Sequence, residues 1–271
     1  GGRAPGVGQR LFSTSLFNVE VHDGGICVME MAKPPVNTFD IDMMNEFSRT
    51  LSTIEADESI HGLVLTSAFP GVFCAGLDLK FLHKPSREDF VLFWSTFESM
   101  WSKYYTSPLC TVAVINGSSP ALGAVLSLAS DYRVMLDYDK FRFGLNETSL
   151  GMIPPLWLQA MTERTLGKRG AEYHLQFSSM LTAKEALQVG YVDALAQDSD
   201  AALSLGLDQL HKLVQVPKGA RYAYKLRQRQ PIAEMAGEDS VNMMADNILG
   251  YEFQHTVQNV LDSLAAKRTK I

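Results

Sequence analysis

The chain has 271 residues, 46% of them hydrophobic and 20% charged, the balance of a soluble globular protein with one large domain or one domain plus an appendage. A formal net charge of −6 argues against nonspecific nucleic-acid binding, which rests on an excess of positive charge. No apolar run reaches membrane-spanning length, so insertion by a helix is not expected.

Residues 1–16 read as a leader, either disordered or the tail of a mitochondrial transit peptide: Arg3, Arg10, Ser13 and Ser15 precede any acidic residue. Phe17 to Val21 and Ile26 to Met31 are strand-like runs joined by the hairpin signal Asp23-Gly24-Gly25. Ile41 to Ile54 carries Met43, Met44, Phe47, Leu51 and Ile54 at helical spacing, and Gly62 to Thr66 is a short buried strand. A Gly- and Pro-containing loop, 67–76, leads into Leu77-Asp78-Leu79. Phe90 to Tyr105 predicts a helix, Cys110 to Ile115 a buried strand, and Ala121 to Ala129 a helix of small and apolar residues. Tyr132 to Leu136 and Phe141 to Gly144 are the next strands. The alternation of strands and helices predicts parallel pairing and an α/β fold. Helices follow at Trp157 to Leu166 and Gly170 to Phe177. Thr182-Ala183-Lys184-Glu185 forms a capping box whose helix stops at Gly190. Residues 17–199 form the α/β core on this reading, and 200–271 a C-terminal helical region.

Cys27, Cys74 and Cys110 are odd in number and unpaired by spacing, which reads as reduced thiols. The six histidines show no metal-ligand spacing, so no metal is expected.

The residue that draws attention is Glu147, a lone acid in FRFGLNETSLGMIPP (141–155), among Leu145, Leu150, Met152 and Ile153. A carboxylate in hydrocarbon loses hydration, its pKa rises, and it becomes suited to moving protons. A helix-start glutamate bonded to backbone amides is the competing reading. Ser119-Pro120 has the form of an N-cap followed by proline at the first helical position, which would leave the amides of Ala121 and Leu122 facing an anion. An ordinary hydrated helix start would look the same. In Phe73-Cys74-Ala75-Gly76-Leu77, Gly76 permits close approach of backbone to a ligand or a positive φ; a plain turn is the alternative. Lys218, Arg221, Lys225 and Arg229 recur along one helical side and fit either phosphate contacts or a solvated face.

Three stretches, GVFCAGLDL (71–79), INGSSPALGAVLSLASDYR (115–133) and FGLNETSLGMIPPLWL (143–158), resemble the crotonase (enoyl-CoA hydratase/isomerase) superfamily, and within it the mitochondrial Δ3,Δ2-enoyl-CoA isomerases. KPPVNTF (33–39) and LTAKEALQVGYVD (181–193) are similar to that subgroup as well. The resemblance implies a ββα spiral core and a C-terminal helical region that covers the site and joins a homotrimer. It implies that an acyl-CoA is the substrate and that no cofactor is needed, coenzyme A being part of the substrate. It further implies that the backbone N–H groups of Ala75 and Leu122 form an oxyanion hole and that Glu147 carries a proton from C2 to C4. Ala75, Gly76, Leu77, Asp78, Leu79, Leu122 and Asn146 would line the substrate, with Lys218, Arg221 and Lys225 near the CoA phosphates. Hydratases of the superfamily use a second glutamate where this chain has Val125, which opposes hydration. Leu122 stands where the family usually has glycine, which bears on pocket shape and acyl length. The rival expectations are another acyl-CoA reaction, hydration or thioester hydrolysis, and noncatalytic RNA binding on the same fold.

Overall fold

The computed structural model describes residues 9–268. The chain opens with β1 (Gln9–Ser13), β2 (Phe17–His22) and β3 (Ile26–Met31), paired antiparallel in sequence. Within the leader expected at 1–16, residues 9–13 form an edge strand against β2, and 1–8 lie outside the described residues. An edge strand pairs on one side only, so a polar sequence does not forbid it.

Next come β4 (Thr38–Phe39) and α1 (Ile41–Ala56). The Asp40 side chain caps α1 by accepting from Met43 N, and Met43, Met44, Phe47, Leu51 and Ile54 are its buried stripe. Then follow β5 (Gly62–Ser67), β6 (Gly71–Val72), β7 (Gly76–Leu77), the short α2 (Leu79–Leu82) and the long α3 (Arg87–Tyr105). After α3 the order is β8 (Cys110–Ile115), β9 (Gly117–Pro120), α4 (Leu122–Ala129), β10 (Tyr132–Leu136) and β11 (Phe143–Gly144). A 3₁₀ helix, Glu147–Leu150, precedes α5 (Leu156–Gln176), whose helical geometry breaks at Gly167 (φ 71°). The break at Gly167 divides α5 into the two helices expected there. The rest is α6 (Ala183–Val189), β12 (Ala194–Ala196), α7 (Ser199–Val214), α8 (Lys218–Ala233), α9 (Glu238–Ile248) and α10 (Tyr251–Arg268). The capping box at Thr182 and Glu185 is formed, and Gly190 ends that helix in the left-handed region.

The large sheet has seven strands in the order β1-β2-β3-β5-β8-β10-β12, parallel from β3 onward. A small parallel sheet, β11-β9-β6, lies beside it. Each of β5, β8 and β10 leaves the large sheet and continues directly into a strand of the small one, β6, β9 or β11, before the next helix begins. That repeated strand-strand-helix step is a spiral of ββα units, as expected. It also brings the ends of three sequence-distant segments, around residues 72, 118 and 144, side by side.

The core is continuous. Phe47 meets Phe17 edge-on at 5.9 Å and Tyr104 at 5.5 Å, joining α1 to the sheet and to α3. A second aromatic group, Trp94, Phe97, Trp101 and Trp157, joins α3 to α5, with Trp101 and Trp157 stacked at 4.0 Å.

Candidate active site

The small sheet places the three motif stretches around one cavity of about 130 Å³. Ala75, Gly76, Leu77, Leu79, Leu122, Asn146 and Glu147 all line it. Asp78 does not: its carboxylate caps α2 by accepting from Lys80 N at 2.9 Å, so its expected place against the substrate becomes a structural one.

Glu147 opens the 3₁₀ helix. That turn is pinned by Met152 N donating to Glu147 O at 3.1 Å, by Ser149 Oγ donating to Asn146 O at 2.7 Å, and by Thr148 Oγ1 on Leu175 O. The Glu147 side chain is 6% exposed, and its Oε2 has no hydrogen-bond partner among the described residues. Burial pushes the carboxyl up to about 7, with only its own backbone N–H opposing. The helix-start reading, a carboxylate satisfied by several backbone amides, is not what the structure shows. Beside it, Asn146 Oδ1 is also buried and unpartnered.

The second motif differs from expectation. Ser119 and Pro120 are strand residues of β9, in register with Phe143 and Gly144, and do not cap α4. The helix starts one residue later, after Ala121 at φ 46°, a conformation that a non-glycine residue adopts at a cost of about 1–3 kcal/mol. Ala121 N donates to Gly144 O at 2.9 Å and is therefore occupied. The Leu122 N–H has no acceptor among the described residues and lies at the N-terminus of α4, where the helix dipole favours negative charge. Gly123 permits the close approach behind it: a Cβ there would lie 2.7 Å from Ser119 Oγ and 2.9 Å from Cys74 O.

The first motif also requires a correction. The Ala75 N–H donates to Val36 O at 3.0 Å, so that amide cannot also hold a ligand oxygen. Asp78 N is likewise taken, by Phe39 O at 2.9 Å, and Gly76 N faces Cys74 Sγ at 3.4 Å. Leu77, between them, lines the cavity. Asn37 braces this strand from behind, its Nδ2 donating to Ser67 Oγ at 2.7 Å and Phe73 O at 3.0 Å. Cys74 is fully buried, its thiol donates to Asn37 O at 3.3 Å, and burial pushes it up to about 12. That is a packed thiol, not a nucleophile.

The basic row on α8 is a further correction. Lys225 and Arg229 are 7% exposed and face inward: Lys225 Nζ donates to Leu109 O at 2.8 Å and Asp131 Oδ2 at 2.9 Å, and Arg229 reaches Asp131 Oδ1 at 2.7 Å. Arg221 reaches Pro108 O at 3.4 Å, Lys218 is exposed at the start of the helix, and none of the four lines the cavity. The spacing was helical, but the stripe turns toward the sheet.

Sequence patterns missed part of the wall. Trp94, Phe97, Trp157 and Leu158 line the cavity, and the helical patterns that contain them do not mark these residues as wall. Val125, 2% exposed, presents only hydrocarbon to the cavity. Among the described residues no group of three His, Cys, Asp or Glu side chains is arranged to hold a metal, and no helix is long and apolar enough to cross a membrane.

Comparison with known proteins agrees with this arrangement. Residues 22–268 match the family model described as enoyl-CoA hydratase/isomerase. The chain is 37% identical over 228 residues to the mouse protein named enoyl-CoA delta isomerase 1, mitochondrial, covering 84% of this chain and 78% of that one. The human protein of the same name is 37% identical over 229 residues, covering 84% and 76%. The crystal structure of human mitochondrial delta3-delta2-enoyl-CoA isomerase superposes with a TM-score of 0.89 at 33% identity, over 93% of this chain and 99% of that one. A hydratase from Bacillus halodurans, 19% identical with a TM-score of 0.76, shares the fold. With a ββα spiral, a buried acid and a free helix-terminal amide on one cavity, this chain belongs to the enoyl-CoA hydratase/isomerase family.

Proposed function

We propose that the protein is an isomerase that moves the double bond of a 3-enoyl-CoA to the trans-2 position, with Glu147 as the proton carrier. One observation carries the reading: a single unpartnered buried carboxylate, raised to about 7, shares a cavity with an unoccupied helix-terminal N–H and with no second acid. The thioester oxygen would accept from Leu122 N–H and from the amide of Leu77, which replaces Ala75 as the first donor. Charge that develops on that oxygen as C2 loses its proton is stabilised there, and one such donor is worth about 3 kcal/mol. Glu147 takes the C2 proton and returns it to C4 of the dienolate, so that atoms and charge balance without a cofactor. Asn146, with its free Oδ1, is proposed to contact the acyl-CoA.

Val125 favours isomerisation over hydration, because water needs a second polar group to orient it and this position supplies only hydrocarbon. The mitochondrial setting of the human and mouse relatives supports the same location here, with unsaturated fatty-acid oxidation as the process. A homotrimer is the proposed assembly, and Ile153, Leu156 and Met235, each more than 40% exposed, supply apolar surface for it.

The test is steady-state isomerisation of 3-enoyl-CoA followed by absorbance of the 2-enoyl product. Glu147→Gln is expected to bind acyl-CoA and to lose turnover by a factor on the order of 10⁴. In the wild type, kcat/KM is expected to rise with pH through about 7 and then level, because the free enzyme must hold Glu147 ionised. Turnover retained by Glu147→Gln would remove the residue from the mechanism.

A further inference from the structure

Glu98 is a carboxylate buried to 2% exposure with no cation paired to it among the described residues. Its Oε1 accepts from Trp94 Nε1 at 3.0 Å, Trp157 Nε1 at 2.8 Å and Ser240 Oγ at 2.6 Å, and its Oε2 accepts from Gly237 N at 2.8 Å. Four donors from α3, α5 and the first turn of α9 thus converge on one side chain. Neutral donors and a helix N-terminus take the place of a counter-ion.

The two indoles it holds are wall residues of the catalytic cavity, and Glu98 itself is not. Glu98 instead lines a second cleft, between α3 and the α8–α9 junction, of about 550 Å³. The indoles, backed by Glu98, therefore stand between a small catalytic cavity and a larger space behind it. The cavity, at about 130 Å³, is of the size that admits a benzene-sized group, so burying further methylenes on this side requires that wall to move.

We infer that Glu98 sets the acyl-chain length this enzyme accepts, by fixing the Trp94 and Trp157 indoles as a partition between the catalytic cavity and the cleft behind α3. Glu98 touches neither the substrate nor the reacting atoms; it is a positioning residue, and the indoles are the surface the chain meets. Releasing them opens the cavity into the cleft and lets further methylenes be buried. Each buried methylene is worth about a fourfold gain in affinity, so two more give on the order of tenfold.

This inference rests on the acyl-CoA reading above, and the experiment separates the two. Dissociation constants for hexanoyl-CoA and dodecanoyl-CoA are measured by calorimetric titration, which needs no turnover, and kcat/KM is measured for the matching 3-enoyl esters. The wild type is expected to favour the shorter chain. Glu98→Leu is expected to raise the dodecanoyl-to-hexanoyl affinity ratio about tenfold, chiefly through the longer ligand. Trp157→Phe, which keeps an aromatic ring but loses the N–H, is expected to move the ratio the same way and decides the matter if Glu98→Leu does not fold. Glu98→Gln, whose carbonyl still accepts both indoles, is expected to stay near the wild-type ratio. A ratio unchanged in the folded variants, or an equal loss for both chains, would overturn the inference while leaving the isomerase reading intact. Absence of acyl-CoA binding by the wild type would overturn both.

Discussion

Glu147 differs from the other buried acids in what surrounds it. Glu98 has four donors, and Asp131 has Lys225, Arg229 and Thr111, whereas one oxygen of Glu147 has none. An unpaired carboxylate in an apolar cavity is costly to ionise, and here the fold bears that cost at the residue proposed as the base. The sign follows from the raised value. The folded protein holds this proton more tightly than the unfolded chain, so the contribution to stability is complete below about 4.5 and is lost as pH rises through about 7. Glutamine at 147 cannot ionise. Glu147→Gln should match the wild type in urea unfolding near pH 4 and exceed it by about 3 kcal/mol near pH 8. Equal stability at both pH values would mean that the carboxylate is solvated after all.

At the scale of the element, the site depends on strands only two to four residues long. Between two of them the approach is close at Gly117: a Cβ there would lie 2.1 Å from both Gly71 C and Val72 N. Backbone cannot yield as a flexible side chain does, so β6 and β9 would have to separate. Gly117→Ala should therefore destabilise by about 3 kcal/mol or more in denaturant unfolding, and should lose turnover with it, because Leu77 and Leu122 would move apart. Wild-type stability and rate in this variant would show that the small sheet does not set the site. These strands also mark where sequence reading ran out. The long strands at 26–31, 110–115 and 132–136 were legible to the residue, because β-branched and apolar runs specify a buried strand by themselves. Gly117 to Pro120 reads as a turn and helix cap, since its identity as a strand comes only from the segments that pair with it. That Glu147 and Leu122 share one cavity was legible through local chemistry and family likeness. The Ala75 donor was misplaced because its amide is occupied by Val36 O, 39 positions earlier in KPPVNTF, beside the β4–β7 pairing, and neither motif states by itself that it pairs with the other.

Across the whole molecule, the C-terminal helices are fastened to the sheet by charge as well as by apolar contact. Asp131, between α4 and β10, accepts from Thr111 N at 2.8 Å, from Lys225 Nζ and from Arg229, while Arg229 also donates to Tyr105 O and Ala129 O at 2.8 Å each. Burial alone would raise the Asp131 carboxyl, but the Lys225 ammonium and the Arg229 guanidinium outweigh it and hold it below the usual carboxylate range. Stability from this group is therefore present above its ordinary value of 3.8 and is lost as pH falls through the lower folded value. Removing the acid leaves two buried cations without their counter-charge, which costs about 3–5 kcal/mol, so Asp131→Ala should unfold far more readily than the wild type. Lys225→Met separates this fastening from the phosphate contact that the helical spacing had suggested. Met keeps most of the length and removes the ammonium, and Asp131 retains Arg229. The melting temperature of Lys225→Met should fall, while its dissociation constant for acyl-CoA and the salt dependence of that constant should stay at the wild-type level. A weaker affinity with a shallower salt dependence would instead put Lys225 back at the ligand, against the 2.8 Å and 2.9 Å bonds that hold its ammonium inside the fold.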